Sequence, residues 1–204
     1  MKKILLIDGN SVVFRAFYAT MGRPMTTSFG KETNALFGFA NMINKALELI
    51  EPTHVLVAFD TGEKTFRHKQ YPEYKGTRKS LPEELVQQFP LIREFLDAYG
   101  LYRSEVVGYE ADDIIGTMVD RYPDDEIIVL SSDRDLLQLI NPHASVTLMK
   151  KGLTEFSIMN ESTFEESYGL KPIQIIDLKA LMGDSSDNIP GVPSVGEKTA
   201  VKLI

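Results

Sequence analysis

Short apolar runs alternate with longer amphipathic segments along this 204-residue chain. Two of these runs, Lys3–Ile7 and His54–Phe59, predict buried strands, and further strands are predicted at Tyr102–Val107 and Glu126–Leu130. The segments with apolar residues at helical spacing include Asn34–Ile50, Glu83–Tyr99 and Asp112–Tyr122. Because strands and helices take turns, the pattern predicts an α/β fold with a mostly parallel central sheet and helices on both of its faces.

The remaining segments are shorter or less regular. Ser11 is a predicted cap for a helix through Tyr18, and Asn34 is a predicted cap for the helix that follows the loop at 21–33. The other predicted elements are a helix at Asp133–Leu139, a β pair of Val146–Met149 and Glu155–Ile158 turned at Lys151-Gly152, and helices at Ser162–Tyr168 and Pro172–Met182. Residues 61–82 have no clean period, which indicates a mobile or partly helical connection with a functional role.

Acidic residues stand where the predicted strands end or where the next helices begin. Asp8 closes the first apolar run, Asp60 closes the second, and Asp133 follows the run that ends at Leu130. The full set is Asp8, Asp60, Glu110, Asp112, Asp113, Asp133, Asp135, Asp184 and Asp187. Parallel strands bring their carboxyl ends to one edge of a sheet, so most of these acids are expected to converge there. Clustered like charges repel strongly at short range, so the pattern predicts a divalent-metal site.

Each acid also has an ordinary structural alternative. Glu110-x-Asp112-Asp113 could compensate a helix dipole, and Asp133 could cap the helix that carries Asp135. Asp8 and Asp60 could simply end their strands in turns. Each of these structural explanations is plausible for one acid alone. That all of them apply within one sheet is much less credible, which favours metal chemistry.

The available donor types narrow the choice of metal. The chain has no cysteine, and its histidines, His54, His68 and His143, are scattered without metal-ligand spacing. Hard carboxylate oxygens therefore predict Mg²⁺, with Mn²⁺ as a substitute, rather than zinc. The acids suffice for two ions, and the reaction typical of such a site is two-metal hydrolysis of a phosphodiester.

Charge is unevenly distributed along the chain. The net charge of −7 argues against nucleic-acid binding, but the segment 63–79 is locally basic. Its cations are Lys64, Arg67, Lys69, Lys75, Arg78 and Lys79. We expect Arg67, Lys75 and Arg78 to stabilise transition-state charge, and Tyr74 to stack on an unpaired base. A solvated charged loop is the structural alternative for this segment.

Composition excludes several classes of protein. Without cysteine there is no disulfide, zinc thiolate site or thiol catalysis, which fits a cytoplasmic location. No apolar stretch reaches 18 residues, so no membrane association is expected. The length allows one substantial core with a small appendage.

The last part of the chain has a different character. Residues 189–200 form a Gly/Pro-rich hairpin that enters a helix, and the order Gly196-Glu197-Lys198 breaks the spacing that a P-loop requires. The interpretation is a helix–hairpin–helix in which Gly191, Gly196, Lys198 and Thr199 contact a DNA phosphate. Because the chain stops at Ile204 inside an apolar helical run, we expect a core at 1–170 and the truncated start of a DNA-binding module at 171–204.

Several motifs together resemble one known family. They are Leu6-Ile7-Asp8-Gly9, Phe59-Asp60, Phe66-Arg67, Tyr74-Lys75-Gly76-Thr77-Arg78, Tyr109-Glu110-Ala111-Asp112-Asp113, Ser132-Asp133-Arg134-Asp135 and Gly183-Asp184-Ser185-Ser186-Asp187-Asn188-Ile189-Pro190-Gly191. This set resembles the 5′-nuclease (flap endonuclease) family, and most of all the N-terminal 5′→3′ exonuclease domains of bacterial type I DNA polymerases. The resemblance covers the whole chain and implies a PIN-like nuclease fold.

The resemblance also implies roles for these residues. Asp8, Glu110, Asp112 and Asp133 would surround a first metal ion with Asp60 near it, and Asp113, Asp135, Asp184 and Asp187 would serve a second. Arg67, Tyr74, Lys75 and Arg78 match the family's arch, here about 61–82, beneath which a 5′ single strand passes. K⁺ at the hairpin is implied as well. Ser194 is a departure, because the family often has Gly there.

The implied function is structure-selective cleavage of DNA near a nick, 5′ end or flap junction, with removal of RNA primers in replication and repair. A polymerase in the same longer chain or acting in trans would be the partner, in the bacterial nucleoid. Two alternatives stay open: a PIN-type RNase, against which the hairpin argues, and a non-catalytic DNA-junction scaffold, against which the complete acid set argues.

Overall fold

The computed structural model describes residues 1–23, 25–150 and 155–204. Six strands form the main sheet, in the order β3-β2-β1-β4-β5-β6. Their bounds are β1 (Lys3–Asp8), β2 (His54–Phe59), β3 (Tyr102–Glu105), β4 (Glu126–Ser131), β5 (Ala144–Met149) and β6 (Phe156–Met159). All neighbours are parallel except β5 and β6, which pair antiparallel. The turn predicted at Lys151-Gly152 between these two strands lies outside the described residues.

Helices connect the strands and continue beyond them. The α-helices are α1 (Gly9–Thr20), α2 (Asn34–Ile50), α3 (Phe66–Gln70), α4 (Glu83–Val86), α5 (Gln88–Tyr99), α6 (Ala111–Arg121), α7 (Glu161–Tyr168), α8 (Ile175–Met182) and α9 (Glu197–Leu203). Short 3₁₀ helices cover Asp135–Leu139 and Pro172–Gln174. A two-stranded ribbon, β7 (Gly183–Asp184) and β8 (Ile189–Pro190), lies between α8 and α9.

Alternating residues of the strands bury their side chains on opposite faces of the sheet. Along β1, Leu5 and Ile7 join a cluster with α1, α2 and α5, whereas Ile4 and Leu6 join a cluster with α6, α7 and α8. Strands buried on both faces are typical of parallel sheets with helices on each side. The predicted fold class is confirmed.

The order of the strands decides where a site can form. The chain moves outward from β1 to β2 and β3, and then returns to place β4 on the other side of β1. The helices that follow β1 and β4 therefore diverge, which opens a crevice at the carboxyl ends of these two strands. Asp8 is the last residue of β1, so it lies at the bottom of this crevice.

Some boundaries differ from the prediction because side chains from elsewhere satisfy the helix ends. The α1 helix begins at Gly9, and its cap is Asp8 rather than Ser11, whose N–H donates to the Asp8 carboxylate. Asn34 does not cap α2. Instead Gln88 Oε1 accepts hydrogen bonds from the N–H groups of Ala35 (2.8 Å) and Leu36 (3.2 Å). The sequence around residue 34 could not indicate this cap, because Gln88 lies 54 positions further along the chain.

The predicted helix Glu83–Tyr99 is divided into α4 and α5. Pro90 has no N–H to continue the helical ladder and its ring crowds the carbonyl four residues earlier, so a break near Gln87 is the expected consequence. The predicted helix at Asp133–Leu139 is only the 3₁₀ helix Asp135–Leu139, because Asp133 Oδ1 accepts the N–H of Asp135 and holds the chain in a turn.

The C-terminal hairpin packs closely on the rest of the fold. Ala200 of α9 is buried in the same cluster as Ile115 of α6, so residues 171–204 share a core with the sheet. A Cβ built at Gly191 would lie 2.3 Å from the carbonyl carbon of Met182, so this glycine permits a close crossing of two backbones. Gly191 thus has a packing role, and its predicted contact with a phosphate stays a prediction. The division at residue 170 stays a prediction.

A bilayer crossing needs a long apolar helix, and none of the helices in the described ranges has that combination of length and hydropathy.

Ser194 has a backbone conformation that favours glycine. The N–H of Val195 donates to the carbonyl of Val192 (3.1 Å), which closes a turn with Pro193 second and Ser194 third. Ser194 has φ +64°, as the third residue of a type II turn requires. The family's preference for Gly at this position therefore has a conformational cause in this chain.

We expect Ser194→Gly to stabilise the protein slightly. The left-handed conformation costs an L-residue about 1–2 kcal/mol, and glycine removes this cost. Glycine also makes the unfolded chain more flexible, which lowers the free energy of unfolding by about 0.4–1 kcal/mol. The net gain in free energy of unfolding is thus up to about 1 kcal/mol, measurable by urea unfolding. Ser80→Gly is the matched control, because Ser80 lies in an irregular segment without positive φ and should only lose stability. Equal losses in both variants would contradict the explanation.

Candidate metal centre and its cationic cover

Five of the predicted acids line one cleft of about 500 Å³ at the carboxyl edge of the sheet. They are Asp8, Asp60, Glu110, Asp112 and Asp133. Asp8, Asp60 and Asp133 come from the ends of β1, β2 and β4, and the other two come from the start of α6. Lys75 and Arg78 of the arch (residues 61–82) line the same cleft. We call this space the acidic cleft.

Hydrogen bonds hold two of these carboxylates in place. Asp8 accepts from the Ser11 N–H (3.0 Å) and from the Ser131 hydroxyl (2.7 Å). Asp60 accepts from the Ala111 N–H at 2.7 Å and exchanges hydrogen bonds with Asn10 through its backbone and side chain. Sequence analysis missed Ser131 and Asn10, since one hydroxyl and one amide in polar turns carry no distinctive signal.

Four acids of the cleft form no ion pair with a cation of the described residues. Within the described ranges, no Lys, Arg or His nitrogen lies within 4.0 Å of Asp8, Asp60, Asp112 or Asp133, which we call the uncompensated acids. Burial raises the pKa of Asp8 to about 6, and the nearby charges of Asp133 and Asp60 add to the effect. Burial and then the charges of Asp8, Asp133 and Asp60 also raise the pKa of Asp112 well above its usual value. The protein therefore bears an unfavourable concentration of negative charge at this point.

The other acids each have a cationic partner. Arg67 makes a two-pronged ion pair with Asp113 (2.8 Å for both hydrogen bonds), and Lys75 Nζ lies 2.9 Å from Glu110. Arg78 pairs with Asp187 and also donates to the carbonyl of Ser186. All three predicted catalytic cations of the arch thus contact the acids, so the arch is a cover over the site rather than a solvated loop.

Lys179 of α8 is a further cation of the site that sequence analysis missed. Its amine pairs with both Asp135 (2.8 Å) and Asp184. Burial alone would raise the pKa of Asp184, but hydrogen bonds from Lys179 and Ser186 outweigh it and lower the pKa to about 2. The sequence did not indicate this role for Lys179, because its position on the helix also fits an ordinary exposed residue.

Tyr74 has a different role from the one predicted. Its side chain is 6% exposed, and its hydroxyl donates towards Glu110 (3.1 Å) and Asp187 (3.0 Å). Burial, followed by the charges of these two acids, raises the pKa of its hydroxyl. The ring is therefore not accessible for stacking on a base, and Tyr74 instead ties the arch to the acidic residues beneath it.

The donor set fits a hard divalent cation. Among the described residues, no three Asp, Glu, His or Cys side chains already converge into metal-ligand geometry. The uncompensated acids nevertheless supply only carboxylate oxygens, which Mg²⁺ and Mn²⁺ prefer. A cation placed among them would relieve the repulsion that adds to the effect of burial on the pKa values of Asp8 and Asp112.

The remaining predicted DNA-binding residues lie at the surface. Lys64, Lys69 and Lys79 of the arch are exposed, and Lys64 lines a smaller cleft that also contains Asp60. At the hairpin, Gly196 precedes α9 as its N-cap, and Lys198 and Thr199 are exposed in the first turn. The hairpin residues are not part of the acidic cleft, so any contact with nucleic acid there would be separate from the chemistry.

Two family models match the chain. A model described as the N-terminal resolvase-like domain of 5′-3′ exonuclease covers residues 3–169. A model described as the C-terminal SAM fold of 5′-3′ exonuclease covers residues 170–204.

Named relatives are similar over the whole chain. DNA polymerase I of Bacillus caldotenax is 54% identical over 206 residues, which cover 100% of this chain and 23% of that protein. A 5′-3′ exonuclease of Bacillus subtilis (strain 168) is 44% identical over 205 residues, which cover 99% of this chain and 69% of that protein. The chain thus spans about a quarter of the length of its polymerase relative.

Solved structures share the fold. Bacteriophage T5 5′-exonuclease with bound zinc matches with a TM-score of 0.79 and 24% identity, over 100% of this chain and 74% of that one. A complex of the T5 D15 flap endonuclease with DNA and metal ions has the same TM-score, identity and coverage.

The raised pKa values predict how the metal-free protein responds to pH. An acid whose pKa is higher in the folded than in the unfolded state binds more protons when folded, so the free energy of unfolding falls as pH rises from about 4.5 to 7. For Asp8, with a pKa of about 6, the loss is about 1–3 kcal/mol. Asp113 and Asp184, whose pKa values are lowered, stay ionised in this window and do not contribute.

Asp112→Asn tests this assignment, because it removes one uncompensated charge from the cluster. In chelator, we expect the variant to be more stable than the parent at pH 7 and to lose less stability between pH 4.5 and 7. Asp120→Asn, an exposed change on the same α6 helix, is the control. Urea unfolding at constant ionic strength measures all three proteins. If Asp112→Asn and Asp120→Asn behave alike, the acids do not repel one another as described.

Proposed function

Because this chain belongs to the 5′-3′ exonuclease family, we propose that it is a divalent-metal-dependent nuclease that hydrolyses DNA phosphodiesters at 5′ ends, nicks and flap junctions. The observation that carries the proposal is the acidic cleft, in which four uncompensated carboxylates face the cations of the arch. The uncompensated acids repel one another and would therefore bind metal ions favourably, and the adjacent cations of the arch would bind a phosphate.

The shape of the surface supports passage of a strand through the site. The smaller cleft beneath the arch is lined by Asp60, Lys75, Arg78 and Glu110, and these four residues also line the acidic cleft. The two spaces therefore share part of their lining. A single strand that enters beneath the arch would lie next to the carboxylates, whereas a duplex is too wide for a space of about 190 Å³.

The protein's own groups have distinct tasks in this proposal. Asp8 and Asp60, which hydrogen bonds hold in place, would position the metal ions together with Asp112, Asp133 and Glu110. When bound, such ions would activate the attacking water and stabilise the charge that develops on the phosphate. Lys75 and Arg78 would turn from their acids towards the phosphate oxygens and stabilise the same charge.

The second predicted group of ligands, Asp113, Asp135, Asp184 and Asp187, is neutralised here by Arg67, Lys179 and Arg78. A second ion would therefore have to displace these cations, whereas the first would meet free carboxylates. We propose two sites of unequal affinity, with Mg²⁺ as the natural ion and Mn²⁺ as a substitute.

The wider setting of the activity is also a proposal. Relatives named DNA polymerase I support a role in replication and repair, with a polymerase in the same longer chain or in trans. Removal of RNA primers, K⁺ at the 189–200 hairpin and a cytoplasmic location in the nucleoid stay predictions.

Cleavage of a 5′-flap DNA duplex should need Mg²⁺ or Mn²⁺ and stop in chelator. Asp133→Asn should lower kcat far more than it weakens binding, because the amide keeps the shape of the ligand but loses its charge. Asp120→Asn, which lies outside the cleft, should leave kcat unchanged. Single-turnover assays on flap DNA and on single-stranded RNA measure both points. Cleavage that persists in chelator would remove the metal mechanism, and a preference for RNA would favour a PIN-type RNase.

The arch makes a second prediction. Lys75→Gln should lower kcat by about 10²–10³, the usual effect of losing one group that stabilises transition-state charge, with little change in KM. Lys69→Gln is the matched control, because Lys69 belongs to the same basic segment but is exposed and pairs with none of the acids. It should alter KM alone. If Lys75→Gln changed only KM, the arch would serve for docking rather than for catalysis.

A further inference from the structure

A second cleft adjoins the acidic cleft on the side away from the arch. It has a volume of about 510 Å³ and lies along β5 and β6. Arg15, Ser132 and Arg134 line both clefts, so the two spaces share a wall. The acidic cleft thus adjoins the cleft beneath the arch through one set of residues and the second cleft through another.

Charge distinguishes this second cleft from the rest of the site. Arg15, Arg134 and Lys150 line it, against the single acid Glu155. Within the described ranges, none of these three cations lies within 4.0 Å of a carboxylate, whereas Arg67, Lys75, Arg78 and Lys179 are all paired. Among the described residues, the cations of the second cleft therefore lack the carboxylate partners that the cations of the arch have.

Two buried polar atoms in the shared wall also lack partners. Arg15 Nε and Ser132 Oγ make no hydrogen bond to any described residue, although buried polar groups nearly always have one. Of the contacts that the described residues make with the Arg15 guanidinium, one is a hydrogen bond, from Nη2 to the carbonyl of Met149 at 3.3 Å. The Arg15 guanidinium is thus held at one nitrogen while its Nε–H has no acceptor among the described residues, as is expected of a group that donates a hydrogen bond to a ligand.

We propose that this second cleft is a phosphate-binding subsite for the strand that is cut, on the side of the scissile phosphate away from the arch. The proposal rests on the proposed nuclease function and extends it, since it assigns a path to the strand beyond the reacting phosphate. Arg134 and Lys150 hold successive phosphate oxygens at the mouth of the cleft, and Arg15 supports them from its wall. Contacts of this kind position a strand without selecting its sequence.

The main test compares two double variants that each remove two positive charges. Arg134→Ala with Lys150→Ala removes cations of the subsite. Arg121→Ala with Lys45→Ala removes one cation from the far end of α6 and one from α2, and serves as the control. The probe is a fluorescent 5′-flap DNA duplex, with binding measured by anisotropy in chelator at 20–200 mM salt and cleavage measured separately in Mg²⁺.

In the subsite variant, we expect the slope of log affinity against log salt to fall by about 1.4, since each single-strand phosphate contact contributes about 0.7. KM should rise about tenfold, while kcat changes less than about threefold. The single variant Lys150→Ala should give half the change in slope. Because Lys150 lies outside the acidic cleft, a change in this variant is not an indirect effect of removing Arg134 from beside the acids. Slopes equal to those of the control would overturn the proposal.

Neutral methylphosphonate linkages identify the contacted strand. Placed in the cut strand beside the scissile phosphate, such a linkage should weaken binding to the parent but not to the subsite variant, because the contact it removes is already absent. Equal weakening of both proteins, or an effect confined to the complementary strand, would refute the assignment. If the parent binds flap DNA without cutting it, the proposed nuclease function fails, yet these binding measurements still decide the subsite.

Discussion

Repulsion among carboxylates at the end of the sheet is the constraint to which the surrounding structure responds. Asp8, Asp60 and Asp133 approach one another because β1 lies between β2 and β4 in a parallel arrangement, and the start of α6 adds Asp112. The cost is visible in the pKa values of Asp8 and Asp112, which burial and neighbouring charge raise. An enzyme site can retain such a cost, because groups arranged for a transition state are seldom those that stabilise the fold best.

The cations around the site balance only part of this charge. The arch and α8 supply Arg67, Lys75, Arg78 and Lys179, which neutralise the outer acids and leave the inner ones exposed to one another. The same cations are therefore both structural partners of the acids and candidates for contact with a phosphate. Under the proposed function, binding of a second metal ion and docking of the arch would be coupled, since both depend on Asp113 and Asp187.

The arch is also joined to the hairpin region by its backbone. The Lys75 N–H donates to the carbonyl of Asp187 (2.9 Å), and Asn188 Nδ2 donates to the carbonyl of Glu73 (2.8 Å). Lys75 and Asn188 both have left-handed backbone conformations, with φ +56° and +58°. Non-glycine residues adopt this conformation at a cost, and such local strain is common where a segment must present its side chains to a site. A movement of the arch would therefore change the position of Asp187.

The sequence by itself determined the fold class, the convergence of the acids and the basic character of the arch, because each is written in local patterns. Apolar runs of strand length followed by Asp8 and Asp60 predict both the parallel sheet and the edge at which these acids gather. What only the tertiary structure decided were relations between residues far apart in the chain. Gln88 caps α2, Lys179 joins Asp135 to Asp184, and Tyr74 lies buried against Glu110 instead of facing a base. Such partners are selected by three-dimensional proximity and by the need to satisfy buried polar groups, neither of which leaves a periodic trace in the sequence.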